Sequence, residues 1–350
     1  MPFDAPSPAD SARARDRRHV ALWLFAMCGM ILVMVAIGGA TRLTGSGLSI
    51  MEWAPLRGTL PPLSEAEWNR LYALYRQIPQ YELVNKGFGL AGFKEIFWLE
   101  WLHRLWGRLI GLAFIVPLGW LWWRRAVPRA LVPRLLGLFV LGGLQGVVGW
   151  FMVASGFFAD ATAVSPYRLV VHLGLALVLY AAILWTALDV LSTRPVEASR
   201  GLRRLVGATA ACVALTILAG GFVAGLKAGL DYNTFPLMGG RVVPAGYAAL
   251  DPFLLNFVEN IAAVQFNHRL LATLSLLLAG ACLVAGWRSA ARPALLALAG
   301  AVGVQYGLGI ATLIYVVPAG LGTAHQAMAV LVLTAALVAL DQLRTRRPPL

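Results

Sequence analysis

Eight runs of about 20 predominantly apolar residues constrain this chain more than any other feature, since a helix of that length crosses the hydrocarbon core of a bilayer. They fall at roughly 20–40, 101–123, 134–154, 168–189, 204–226, 265–287, 293–316 and 322–341. In lipid the backbone polar groups must be satisfied within the protein, which leaves helices or closed barrels. Continuous apolar runs, in place of period-two alternation, select helices. Composition agrees: 59% of the residues are hydrophobic and 13% charged, about half the charge of a soluble domain. The first run has full spanning length, and no small-residue cleavage site followed by a soluble domain comes after it. It is expected to be a retained helix.

The net charge of +13 is a topology signal. Basic residues crowd the N-terminal tail (Arg13, Arg15, Arg17, Arg18) and the loop between spans 2 and 3 (Arg124, Arg125, Arg129, Arg134). They recur between spans 4 and 5 (Arg194, Arg200, Arg203, Arg204), between spans 6 and 7 (Arg288, Arg292) and in the C-terminal tail (Arg344, Arg346, Arg347). With eight spans all of these lie on one side, and the positive-inside rule puts both termini in the cytoplasm. That distribution argues for a lipid bilayer and against nucleic acid as the partner. Cys28, Cys212 and Cys282 all fall inside predicted spans, and the absence of any CxxC leaves no support for c-type haem attachment or a thiol redox pair.

The chain repeats itself. Span 1 ends in Gly38-Gly39-Ala40-Thr41-Arg42, and span 5 in Gly220-Gly221-Phe222-Val223-Ala224. Span 2 begins Glu100-Trp101-Leu102-His103-Arg104, and span 6 Gln265-Phe266-Asn267-His268-Arg269. Span 3 carries Gln145-Gly146-Val147-Val148-Gly149, span 7 carries Gln305-Tyr306-Gly307-Leu308-Gly309, and spans 4 and 8 open with His172 and His325. An even number of spans per half makes this a parallel repeat about an axis along the membrane normal. The predicted fold is an all-α membrane protein of eight transmembrane helices in two pseudo-symmetric four-helix bundles. Its parts are a basic cytoplasmic tail (1–19), an N-terminal bundle (20–189), a cytoplasmic linker (190–203), a C-terminal bundle (204–341) and a second tail (342–350). Each half has one long loop after its first span, about 41–100 and 227–264. The first of these holds a polar stretch (Glu65, Glu67, Trp68, Asn69, Arg70) expected to form a short surface helix.

His19 lies in the basic tail and calls for no specific role. His103, His172, His268 and His325 stand one per even-numbered span, each near the start of a helix running inward, and so share one depth. Ionisable residues within spans are costly and are usually functional. Two histidines on facing helices of a bundle can ligate a haem iron from both sides. His103 with His172 makes one such site, and His268 with His325 the other. Gly107, Gly146, Gly149, Gly174, Gly307 and Gly309 remove bulk where a flat macrocycle could approach. The competing account, interhelical hydrogen bonding by histidine and close packing by glycine, explains one such histidine better than four at one depth. Arg104 and Arg269 follow their histidines directly. They suit either the two propionates of a haem or plain snorkelling to water.

The halves differ at one position. Glu100 and Gln265 each stand three residues before a histidine, on the same helix face, and only the first is charged. A carboxylate beside a haem edge could take a proton or stabilise developing positive charge. An interfacial glutamate with no chemical role is the alternative.

The run Gly38–Ser49 (GGATRLTGSGLS) resembles the first signature of the haem A synthase family. So do Phe97–Arg108 (FWLEWLHRLWGR), Gln145–Gly156 apart from Ala154, Tyr232–Met238 (YNTFPLM) and Phe266–Arg269 (FNHR). The resemblance spans nearly the whole chain. It implies an oxidoreductase of the bacterial inner membrane that converts the C8 methyl of haem O to a formyl group by two hydroxylations and loss of water, supplying haem A for cytochrome c oxidase. It also implies a haem b on His268 and His325, substrate haem O or product haem A near His103 and His172, Glu100 as the essential carboxylate, and haem sites towards the periplasm. Haem O synthase and cytochrome c oxidase assembly factors are the partners the family suggests, together with an unidentified electron acceptor. A homo-oligomer is compatible with the sequence. Loop 41–100 contains no cysteine, so the chain is similar to the cysteine-less alphaproteobacterial and mitochondrial class, and no loop disulfide can relay electrons. Two other readings were weighed. A bis-histidine cytochrome b electron carrier explains the histidines but not the Glu100/Gln265 difference. A transporter would place its polar groups near mid-bilayer.

Overall fold

The computed structural model describes residues 8–159, 161–191 and 196–344, and these are all-helical, with a lone antiparallel bridge between Met238 and Arg241. Arg194, Arg346 and Arg347 lie outside the described residues. Ten α-helices follow in chain order: α1 (Pro8–Leu43), α2 (Glu65–Tyr75), α3 (Pro79–Leu83), α4 (Gly89–Trp123), α5 (Val132–Ala154), α6 (Pro166–Leu191), α7 (Arg200–Gly225), α8 (Ile261–Ala285), α9 (Arg292–Ile314) and α10 (Ala319–Gln342). All but α2 and α3 are long and apolar enough to span a membrane, and the chain is a multi-pass membrane protein.

The predicted spans hold to within a few residues except for the first two: α1 begins at Pro8 and not near 20, and α4 begins at Gly89 and not near 101. Lys94 and Glu95 interrupt the apolar run there, so hydropathy alone stops short. The helix continues because its apolar side chains switch to one face. Phe93, Ile96, Phe97 and Glu100 are buried at helical spacing. That face closes an aromatic core with Leu48, Ile50, Trp68, Leu71, Tyr75, Ile78 and Tyr81 from the first long loop. Burying each large side chain contributes about 1.5–3 kcal/mol. The predicted surface helix is α2. Ser64 caps it by accepting from the Glu67 N–H, and Glu65 and Glu67 favour its N-terminal turn.

Helix neighbours follow the chain. α1 packs on α4 and α6, and α5 bridges α4 and α6. α7 packs on α8 and α10, and α9 bridges α8 and α10. The two rings of four meet where α1 touches α10 and α6 touches both α7 and α10. Gly39 of α1 permits this meeting: a Cβ there would stand 2.8 Å from Gln326 Oε1 on α10. At Gly221 of α7 a Cβ would lie 3.0 Å from Val170 and 3.1 Å from Leu173 of α6. At the long-loop end Arg42 donates to the Ala224 carbonyl at 2.8 Å, tying α1 to α7. At the opposite end Asp189 of α6 accepts from Arg134 of α5 at 2.7 Å and from Arg344, which also pairs with Asp341 of α10 at 3.0 Å.

Candidate functional site

His172, His268 and His325 lie near the long-loop end of α6, α8 and α10, whereas His103 lies well inside α4 because that helix starts earlier than expected, and each ring is set against a glycine of an adjacent helix. A Cβ on Gly38 of α1 would stand 3.2 Å from His103 Nε2, and one on Gly149 of α5 2.9 Å from the His172 ring. In the other half, a Cβ on Gly220 of α7 would stand 3.0 Å from the His268 ring, and one on Gly309 of α9 2.9 Å from the His325 ring. Any side chain at these four positions would push an imidazole. Sequence reasoning singled out Gly149 and Gly309 as room for a flat macrocycle, whereas here they make room for the histidine rings. It found Gly38 and Gly220 only as members of the repeat, although their matched GlyGly pairs were the signal. Gly107 and Gly174 make ordinary packing contacts with Met34 and Leu218, and Gly146 and Gly307 face open space.

Hydrogen bonding orients the rings. His268 Nδ1 lies 3.0 Å from the Thr216 carbonyl, so that nitrogen carries the proton and Nε2 keeps its lone pair. A carbonyl on the second nitrogen is the usual support of a metal-binding histidine. In the first half Gln145 Nε2 reaches His172 Nδ1 at 3.2 Å and the His172 carbonyl at 3.1 Å. The Oε1 atoms of Gln145 and of its counterpart Gln305 are both buried without a hydrogen-bond partner, as is His325 Nδ1.

The His268 and His325 ring centres are 6.5 Å apart with planes at 89°. Two imidazoles on opposite sides of one metal, each about 2 Å from it and with about 1.1 Å from nitrogen to ring centre, stand about 6.3 Å apart. The pair fits a single iron held between them. Among the described residues no group of three or more His, Cys, Asp or Glu side chains gathers in metal-binding reach. A histidine pair suffices only where a macrocycle supplies the remaining ligands.

Glu100 is 2% exposed and accepts four hydrogen bonds. Ser49 Oγ (2.8 Å) and the Ile50 N–H (2.9 Å) donate to Oε2, and Arg104 Nε (3.0 Å) and Nη2 (2.6 Å) donate to Oε1. Arg104 also donates to the Glu52 carbonyl at 2.7 Å and the Ile50 carbonyl at 2.6 Å. Gln265 and Arg269 repeat this arrangement. Arg269 Nη2 donates to Gln265 Oε1 at 2.7 Å and to the Tyr232 carbonyl at 2.7 Å, and Nη1 donates to the Thr234 carbonyl at 2.9 Å. Arg104 thus divides its hydrogen bonds evenly between Glu100 and loop carbonyls, and Arg269 sends two of three to loop carbonyls, a role that sequence reasoning did not foresee. Arg269 Nε remains buried and unpartnered.

The Glu/Gln difference has a local cause. Glu100 Oε2 meets two donors. Gln265 Nε2 meets two acceptors, the Ala228 and Asp231 carbonyls, both at 2.6 Å. A carboxylate can only accept and an amide nitrogen can only donate, so each residue matches the polarity of its own loop. Ser49 closes the Gly38–Ser49 run but nothing in the sequence paired its hydroxyl with Glu100, and Ile50 left no signal because it acts through its backbone N–H.

Fold and site together define a class: a polytopic helical membrane protein with a histidine pair near the same end of each of two four-helix rings. The model of the cytochrome oxidase assembly protein family matches residues 21–337, and this chain belongs to that family. It is 62% identical to the "Heme A synthase" of Granulibacter bethesdensis over 96% of this chain and 90% of that protein. It is 50% identical to that of Parvibaculum lavamentivorans over 91% and 92%. The figure for that of Rhodospirillum centenum is 49% over 99% and 93%.

Proposed function

We propose that this chain oxidises haem O to haem A. The observation that carries the reading is a duplicated histidine–glycine seat in which only one copy holds a carboxylate, in a chain at high identity to proteins named haem A synthase. In the first oxidation the substrate methyl and one water give a hydroxymethyl group, two protons and two electrons. The second repeats this to the geminal diol, which loses water to leave the formyl group. His103 and His172 hold the iron of the substrate haem, with Gly38 and Gly149 leaving room behind their rings. Glu100, one turn from His103, opposes the positive charge that develops as electrons leave the methyl carbon, or takes the proton of the attacking water.

His268 and His325 hold a haem b. The ring spacing, the Thr216 bond on His268 and the Gly220 and Gly309 seats support this. Bound there, the haem supplies a one-electron centre. Arg269 Nε is a free buried donor available to a propionate, and Arg104 Nη1 retains one N–H beyond its bond to the Glu52 carbonyl. An electron acceptor receives the reducing equivalents. Haem O synthase and cytochrome c oxidase assembly factors are the partners in keeping with the family's description.

The two rings are a parallel repeat, residues 20–189 and 204–341, flanked by cytoplasmic segments 1–19, 190–203 and 342–350. The matched neighbour pattern and the four equivalent glycine seats support this. Both termini lie in the cytoplasm of a bacterium, with the long loops and haem sites towards the periplasmic side of the inner membrane, a reading supported by the basic short loops under the positive-inside rule.

The test is acid-acetone extraction from protein expressed with a haem O supply, analysed by chromatography and mass spectrometry. Haem A or its hydroxylated precursor alongside haem B is expected. Haem B alone in both sites would replace this reading with an electron carrier.

A further inference from the structure

The two rings differ at one wall. α8 and α9 pack closely and are joined across the helices by Thr273 and Tyr306, whose hydroxyls lie 3.0 Å apart. Thr273 stands five residues after His268, and Tyr306 directly follows Gln305. The counterparts in the first ring are Arg108 and Gly146. α4 and α5 touch sparingly, and among the described residues no side-chain hydrogen bond joins them. A Cβ on Gly146 would meet nothing within 4 Å. In the most apolar stretch of the α5 span only 6% of residues are buried, against 22% for α9.

Phe114 of α4 stacks on Phe139 of α5, ring centres 6.0 Å apart, at the end away from the long loops, and nearer the histidines the loop bridges the two helices. Arg108 donates to the Pro55 carbonyl at 2.9 Å and the Ala54 carbonyl at 3.0 Å, and its guanidinium lies against Gly58, where a Cβ would stand 2.9 Å from Nη2. Arg104 holds residues 50 and 52 one turn above. From the other side Trp53 packs on Trp150 of α5, ring centres 5.4 Å apart, and Arg104 lies 5.6 Å from the same indole. Segment 50–58 is thus tied to α4 at Arg104 and Arg108, one and five residues after His103. Beside it, Leu56 and Leu60 are 85% and 69% exposed, as suits side chains turned to lipid.

We infer that α4 and α5 form a lateral portal from the bilayer to the first histidine pair, capped by segment 50–58, and that its ligand is a porphyrin carrying a long isoprenoid chain. This rests on haem O being the substrate of the first ring. Haem O bears such a chain, and a ligand of that kind arrives by way of lipid. The second ring is closed at the same wall by Thr273 and Tyr306, as befits a resident cofactor that is not exchanged.

The experiment transplants the closure. Wild type and an Arg108→Thr/Gly146→Tyr variant are placed in nanodiscs, haem O is added to the lipid, and its ligation is followed by difference spectroscopy while haem b is quantified by extraction. The portal predicts acquisition slowed by about tenfold or more with haem b unchanged. Wild-type acquisition by a variant that keeps its haem b overturns it, and if wild type still makes haem A the functional reading survives that failure. Should the variant also lose haem b, a Gly146→Cys protein decides, because Cys28, Cys212 and Cys282 are buried and give little background. Haem O in the bilayer is expected to protect the new thiol from a lipid-soluble maleimide, and not that of Gly307→Cys. Equal labelling with and without haem O overturns the portal. Wild type that neither ligates haem O nor yields haem A overturns both readings.

Discussion

At the scale of single residues, donors and acceptors decide what position 100 and position 265 tolerate. Glu100→Gln leaves one acceptor where two sides each need one, so either Arg104 or the Ile50 N–H faces an amide NH2. An unpaired buried group of this kind costs about 1–3 kcal/mol. The variant is expected to lose haem A formation and also to loosen the 44–100 loop, read as faster hydrogen exchange there. Loss of activity with unchanged exchange would confine Glu100 to chemistry. Gln265→Glu sets a carboxylate against two carbonyls and is expected to lower haem b content, with wild-type content refuting the polarity argument. The glycine seats give a second prediction. Gly309→Ala drives a methyl to 2.9 Å from His325, and overpacking of this size costs about 1–3 kcal/mol. Purified Gly309→Ala protein is expected to be depleted of haem b, whereas Gly149→Ala keeps haem b and loses haem O. Equal loss in both would mean that the two sites are not separate.

Among the elements, the helices were the most legible part of the sequence, because lipid forces backbone satisfaction within each span and leaves about 20 apolar residues as the mark. The four histidines were legible for the same reason, since each is a costly exception within such a run. α4 was misread at its start because Gly89–Glu100 is amphipathic, and its buried face has meaning only once the loop core of Trp68, Tyr75 and Tyr81 exists to receive it. The loop clamp was invisible because Arg104 and Arg269 bind backbone carbonyls, which any sequence supplies. Within that loop Arg70 bonds Glu52 and Glu67 at 2.8 Å each and holds both carboxyls below their usual range. A carboxyl depressed in the folded state stabilises above its unfolded pKa, and that contribution fades as pH falls through the folded value. The three side chains are 42–46% exposed, so screening keeps the effect below about 1 kcal/mol. Arg70→Gln is expected to increase loop proteolysis slightly at neutral pH and low salt. The difference from wild type should vanish in strong acid or high salt, and a difference that persists there would have to be packing.

For the whole molecule, the question is what makes two rings one protein. Several ties cross between them: the Gly39 and Gly221 seams, Arg42 on the Ala224 carbonyl, the Tyr180 and Thr334 hydroxyls 2.7 Å apart between α6 and α10, Gln326 donating to the Val35 carbonyl, and the ionic cluster at the end away from the long loops. The cluster concentrates charge most. Asp189 of the first ring takes Arg134 from its own ring and Arg344 from the C-terminal end of the second, with side-chain exposure of 11%. Removing one member of a buried ionic group leaves the others desolvated without compensation, at a cost of about 3–5 kcal/mol. Asp189→Asn takes a carboxylate from the half-exposed Arg134 and leaves Arg344 with Asp341 alone, and it sits far along α6 from His172, so it leaves both histidine pairs intact. It is therefore expected to lower the thermal midpoint while leaving the haem spectra of the folded protein unchanged. Because the cluster joins the rings, the signals of both haem sites should be lost in one transition at a lower temperature. Asp189→Glu should recover part of the loss. If the first-ring signal fell alone, or if the midpoint did not move, the cluster would be a feature of one ring's surface, and the seams with the Arg42, Tyr180 and Gln326 hydrogen bonds would hold the halves together.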